Sequence, residues 1–188
     1  MTKIIDWIKE HKILISIVFV GTIFRFYKLD NQSLWIDEIF TMNVSDTRNS
    51  FSFIYNFLKS HDPHPPLYYF LVHTFFLFFG YSTLVLKIFS ATVGVLGIFS
   101  IYYLGKELVN KEVGTILAAL TSMNYFHIYY SQEGRMYSLF FLTTTIALYT
   151  LSKFLKNQNI KTTTFFVFGS LLMIYTHFLG VFILIGFY

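Results

Sequence analysis

Leu67-Tyr68-Tyr69-Phe70-Leu71-Val72-His73-Thr74-Phe75-Phe76-Leu77-Phe78-Phe79 decides the fold, because whether this run crosses a membrane sets the side on which every other loop lies. It opens after Pro65-Pro66 and closes at Gly80. A bilayer asks for about 20 apolar residues, and a run of ~10–14 is more often re-entrant or interfacial than spanning. A membrane is the setting because the chain is 55% hydrophobic and 21% aromatic with only 13% charged, against the ~25% charge of a soluble domain.

Working outward, apolar segments of spanning character lie at residues 13–27, 84–104, 113–129, 137–154 and 162–176, and a further one begins near Leu179. Residues 13–27 are short for a span, with His11 and Arg25 placed to snorkel at the ends. Residues 1–10 read as a surface helix leaning on the membrane through Ile4, Ile5, Trp7 and Ile8. The expected fold is an all-α integral membrane bundle of about five full spans and a partial one. The last run is half a span, which implies the N-terminal part of a longer domain.

Charge arbitrates the topology, since cytoplasmic loops collect Lys and Arg. If 67–79 does not cross, eight cations and four acids lie on the cytoplasmic side, net +4, against six of each outside. If it crosses, nine cations face out and five face in. The first arrangement is the expected one. It places the N-terminus in the cytoplasm and the long loop 29–66 on the external face of the cell membrane. Phe and Tyr supply the aromatic load of an interfacial belt, to which Tyr125, Tyr129 and Tyr130 are assigned. The lysines are scattered, so the net charge of +4 gives no nucleic-acid face. Cysteine is absent, which excludes disulfides and thiolate metal sites.

The 29–66 loop is long enough to signal function. It carries Ser33-Leu34-Trp35-Ile36-Asp37-Glu38-Ile39-Phe40-Thr41, then an apolar patch from Phe51 to Leu58, then His61-Asp62-Pro63-His64-Pro65-Pro66. Both apolar patches have the make-up of juxtamembrane helices. Asp37 and Glu38 are adjacent, so one can approach substrate as general base while the other braces it or binds a metal; the plain alternative is an acid at a helix N-terminus. His64 is suited to a phosphate or, with Glu38, to a divalent ion, whereas Pro65-Pro66 alone is helix-start punctuation. Ser131-Gln132-Glu133-Gly134-Arg135-Met136-Tyr137 sets an acid, a guanidinium and a phenol at the outer mouth of two spans. Arg135 suits a lipid-linked phosphate, or it pairs with Glu133. Lys87 either neutralises a phosphate or snorkels, and His177 is either a ligand or a helix cap. His73 and His127 read as packing or interfacial residues.

Leu34-Trp35-Ile36-Asp37-Glu38, His64-Pro65-Pro66-Leu67-Tyr68-Tyr69, the run from Phe126 to Tyr137 and Tyr175-Thr176-His177-Phe178 stand in an order and spacing that resembles one family. It is the GT-C glycosyltransferases of the dolichyl-phosphate-mannose–protein mannosyltransferase type (family 39-like), relatives of the lipid A aminoarabinose transferase. The resemblance covers nearly the whole chain as the N-terminal half of such an enzyme. It implies a membrane glycosyltransferase with a polyprenyl- or dolichyl-phosphate sugar donor, a hexose such as mannose, and a protein, lipid or glycan acceptor. The implied catalytic acids are Asp37 and Glu38; the implied substrate-binding residues are His64, Lys87, Gln132, Glu133, Arg135, Tyr137 and His177. A divalent metal is an open question, with Glu38 and His64 as candidate ligands. Where Gly134 stands the family usually has Ala, which is expected to loosen the following helix start. The rival reading is a catalytically inactive remnant or assembly subunit that binds the lipid-phosphate sugar. A transporter needs ionisable groups deep in the spans, and the charges here cluster near span ends.

Overall fold

The structure, a computed structural model, describes residues 11–186. The expected surface helix at 1–10 lies outside them. Among the described residues all regular structure is helical: α1 (Lys12–Phe26), α2 (Ile36–Val44), α3 (Phe51–His61), α4 (Leu67–Phe79), α5 (Thr83–Leu108), α6 (Lys111–Met123), α7 (Tyr125–Gln132), α8 (Tyr137–Lys156), α9 (Ile160–Thr176) and α10 (Gly180–Ile185). The helix starts follow local chemistry. Ser50, Ser82, Asn110, Asn124 and Asn159 each accept the backbone N–H three residues on, a cap worth ~1 kcal/mol. Gly80, at φ 91°, ends α4 in a conformation that an L side chain resists.

α5 and α8 have the length and composition to cross a membrane; α4 and α9 are shorter apolar helices. α5 is the axis, with α1, α4, α6, α7 and α8 packed on it and α9 against α8. The bundle turns large apolar side chains outward, among them Phe19 at 66% and Phe78 at 79% exposure, which is the surface lipid covers and water penalises. Small residues let the axes close up. A Cβ on Gly114 would stand 2.5 Å from the Tyr102 carbonyl oxygen, and one on Gly105 would stand 2.9 Å from the Gly114 Cα. This is the small-residue contact of membrane helix pairs.

The long loop is built, not draped. α2, α3 and α4 share one core with α5 and α8 through Met42, Ile54, Leu58, Tyr69, Leu86 and Leu139. α4 spans 67–79, about 20 Å at 1.5 Å per residue, and both its ends keep company with the polar loop. Near its start the Tyr69 carbonyl accepts from Ser45 Oγ at 3.2 Å. In its middle His73 Nδ1 donates to the Ser45 and Asp46 carbonyls at 3.2 and 3.1 Å. Just beyond its end Tyr81 lies within electrostatic reach of Asp46 and Arg48.

Three expectations need correction. The run 113–129 is not one helix, since Asn124 at ψ 121° breaks it into α6 and α7. Arg25 does not snorkel: it is 0% exposed. Its guanidinium donates to the Thr121 and Ser122 carbonyls at 3.0 and 3.2 Å and to His127 Nδ1 at 2.8 Å. Those two carbonyls lost their helical donors at the Asn124 break, so a cation from α1 caps α6. His11, the other residue expected at a water-facing end, is also buried at 5%.

Candidate active site

The site forms where α2 meets the 133–136 link between α7 and α8. Successive helix positions lie ~100° apart at 3.6 residues per turn, so Asp37 and Glu38 have separate fates. Glu38 turns inward and is 2% exposed. Its Oε2 accepts from Trp35 N at 3.2 Å and its Oε1 from Gly134 N at 2.6 Å. It therefore staples the first turn of α2 to the link. Asp37 is half-buried, and no hydrogen bond reaches its carboxylate among the described residues. Its charge is felt by Glu133, Arg135 and Tyr137.

Arg135 is 5% exposed. Its Nη1 donates to the Asp37 carbonyl at 3.2 Å, Thr41 Oγ1 at 3.2 Å and Tyr69 Oη at 3.3 Å. Its Nε is buried with no acceptor, a donor left unspent where native proteins rarely leave one. Burial opposes its charge, yet the Tyr69 hydroxyl and the Asp37 carboxylate hold its pKa above the usual arginine value. No ion pair joins Arg135 to Glu133 among the described residues. Glu133 is 8% exposed, with Oε2 unpartnered. Burial pushes its carboxyl up; the Tyr129 hydroxyl opposes that, and the charges of Glu38 and Asp37 add to it.

A second chain of contacts runs from the proline motif to Arg135. Asp62 accepts from His64 Nδ1 at 2.6 Å, His64 N at 2.9 Å and the Tyr69 hydroxyl at 2.5 Å. Burial alone would raise Asp62, but the hydrogen bonds from His64 and Tyr69 outweigh it and hold the carboxyl below its ordinary value. The His177 ring, at the C-cap of α9, lies 4.8 Å from that of His64 and 4.9 Å from that of Phe140. Its Nδ1 accepts from Leu179 N at 3.2 Å, so the neutral ring carries its proton on Nε2. Burial, then the charges of His64 and Arg135, lower its pKa to about 4.

The fold thus gathers Asp37, Glu38, Glu133, Arg135 and Tyr137, with His64 and His177 linked in through Asp62 and Tyr69. Two sequence candidates face other work. Lys87 is 2% exposed and donates to the Gln32 carbonyl at 2.6 Å, neither snorkelling nor lining open space. Gln132 Nε2 donates to the Phe24, Arg25 and Tyr27 carbonyls at 3.0–3.3 Å and caps α1. Gly134 is not at a helix start. A Cβ there would lie 2.6 Å from Leu86 Cγ, so Leu86 fills the room an alanine would need. As for a metal, both Glu38 oxygens and His64 Nδ1 are engaged elsewhere. No group of three or more His, Asp or Glu side chains arranged to hold an ion occurs among the described residues.

Sequence reasoning did not single out Thr41, Asp62 or Tyr69. Thr41 was detectable as the i+4 neighbour of Asp37 on one helix face. Tyr69 and Asp62 stood inside the proline motif, but what joins them to Arg135 is tertiary.

No curated protein sequence and no solved structure matches the chain. The sequence model of a family described as dolichyl-phosphate-mannose-protein mannosyltransferase matches residues 63–188, from the proline motif onward. With two thirds of its length matched, and a helical membrane bundle around the acid–arginine site, the chain belongs to this family of glycosyltransferases of the mannosyltransferase type.

Proposed function

We propose that the protein transfers a hexose, such as mannose, from a polyprenyl- or dolichyl-phosphate donor to an acceptor on the external membrane face. The observation that carries this is Asp37, a half-buried carboxylate without a hydrogen bond among the described residues, beside a guanidinium held in place by three acceptors. Asp37 takes the acceptor's proton as general base. Glu38 does not touch substrate; it keeps α2 against the Gly134 link. Arg135 stabilises the phosphate as its charge grows with cleavage of the glycosidic bond, a contribution that a preorganised buried donor makes at little reorganisation cost. The Asp62–His64–Tyr69 chain positions Arg135.

The external placement draws on two supports. The loop charges divide +4 to 0 when 67–79 stays on one side. α4 also lies along the polar 45–50 segment, with Tyr69 and His73 bonded to Ser45 and Asp46. The N-terminus is then cytoplasmic in a multi-pass cell-membrane protein.

Asp37→Asn tests the reading, with transfer of labelled mannose from a polyprenyl phosphate measured in proteoliposomes. Loss of a general base costs about 10²–10⁴-fold, with the chain still folded because no hydrogen bond is lost with the carboxylate charge, and with at most a small fall in unfolding temperature as buried Arg135 loses a favourable neighbour. Near-normal transfer would remove Asp37 from the chemistry. Glu38→Gln is expected to lower the unfolding temperature as well as the rate.

A further inference from the structure

α8 starts at the acid–arginine site and ends at Lys156, about 30 Å away at 1.5 Å per residue. At that far end α5 and α8 carry matching stripes. Ser100, Tyr103 and Glu107 recur along α5 at intervals of three and four, and Ile146, Tyr149, Lys153 and Lys156 do the same along α8. That spacing sets side chains on one helix face. Two cross-links show that the stripes meet. Ser100 Oγ lies 2.6 Å from Thr145 Oγ1. Two turns further along α5, the Glu107 carboxylate takes Lys153 Nζ at 2.5 Å and Lys156 Nζ at 2.7 Å. Between the cross-links the helices leave a cavity of 350 Å³ lined by Ser100, Tyr103, Thr145, Ile146 and Tyr149.

The wall of this cavity suits hydrocarbon. Its two aliphatic hydroxyls are spent on each other and on backbone, Ser100 on the Gly97 carbonyl and Thr145 on those of Phe141 and Leu142. A space whose polar groups are already satisfied takes an apolar guest in preference to water. Tyr103, 37% exposed, marks the side that faces lipid. The rim carries the opposite chemistry. Lys153 Nζ stands 5.5 Å from the centroid of the Tyr149 ring, so a cation borders the cavity wall. The Lys153 and Lys156 side chains are 45% and 59% exposed, against 14% for Glu107. Two cations share one carboxylate, which leaves the cluster positive, and Lys106, next to Glu107, adds another exposed cation. An ammonium has three donors, and those not spent on Glu107 are placed to meet an anion at the membrane surface. An apolar slot beneath a cationic rim has the polarity pattern of a phospholipid, chain below and phosphate above.

We propose that the slot between α5 and α8 holds one anionic phospholipid, with an acyl chain in the cavity and its phosphate on Lys153 and Lys156. It is a lipid of the bulk bilayer, distinct from any sugar donor, and its binding does not depend on the transferase reading above. The detergent-purified full chain is incubated with phosphatidylglycerol, phosphatidylcholine or bare polyprenyl phosphate, and retained lipid is counted by native mass spectrometry. The expected result is one phosphatidylglycerol per chain, retained in preference to phosphatidylcholine and not displaced by polyprenyl phosphate. Lys156→Gln should weaken it about tenfold, the worth of one charge-assisted contact. Lys161→Gln removes an equal charge from the exposed first turn of α9 and should leave retention unchanged. Ile146→Trp should abolish retention by filling the cavity. If that variant does not fold, the two lysine variants decide. No retained phospholipid, equal retention of the two phospholipids, or equal losses in Lys156→Gln and Lys161→Gln overturns the proposal. So does unchanged retention in a folded Ile146→Trp chain, or displacement by polyprenyl phosphate, which would give the slot to the donor's carrier.

Discussion

At the scale of single residues, burial and partners assign the roles. Asp37 and Glu38 are chain neighbours of similar chemistry, yet Glu38 holds the fold while Asp37 has no hydrogen bond to its carboxylate among the described residues, and a rotation of one helix position makes the difference. His177 shows the same logic in its titration. Its folded pKa of about 4 lies below the ordinary imidazole value of 6.5. The unfolded chain therefore takes up a proton that the folded one refuses, and stability falls as pH drops from about 6.5 to about 4. Below that window both states are protonated and the slope from this group ends. His177→Phe, which keeps a ring against His64 and Phe140, should flatten that part of the profile in thermal unfolding followed by tryptophan emission. Asp62 acts further down the scale: its folded pKa is depressed, so its contribution is full above the ordinary carboxylate value and is lost as pH falls through the lower folded one.

At the scale of elements, the α6–α7 break is the feature that positions the site. A straight helix through 113–129 would point the following residues elsewhere. Asn124 breaks the helix and starts the next one. Arg25 from α1 pays back the orphaned carbonyls of α6, and Gln132 from α7 returns the favour at the C-terminus of α1. This reciprocal capping fixes where Glu133 and Arg135 emerge. Arg25→Met keeps much of the side-chain volume but leaves buried carbonyls without donors, at ~1–3 kcal/mol each. A destabilisation of about 2–4 kcal/mol is expected, read by reversible denaturation in detergent. Arg25→Lys should recover part of it, since one ammonium cannot span all of the guanidinium's acceptors.

At the scale of the whole molecule, the question is which surface of the bilayer holds the site. The absence of cysteine makes the test direct. Single cysteines at Asn31, Thr83 and Gln158, all at exposed positions, can be labelled in intact cells with an impermeant maleimide. Asn31→Cys and Thr83→Cys should label from outside and Gln158→Cys only after permeabilisation. Opposite accessibility for Asn31→Cys and Thr83→Cys would mean that α4 crosses, and the external-face topology would fall.

Membrane class, helical architecture and the bounds of α4 were legible in the linear chain because they depend on local quantities: hydropathy summed over a window, Pro65-Pro66 before the helix and Gly80 after it. So was the cluster of acid, imidazole and guanidinium, since polar residues stand out in an apolar sequence. Roles within that cluster were not legible. That Glu38 braces, that Lys87 and Gln132 hold backbone carbonyls and that Arg25 is sealed in all depend on partners far away in sequence. Hydrogen bonding and burial are decided by which groups meet, and only the tertiary structure brings them together.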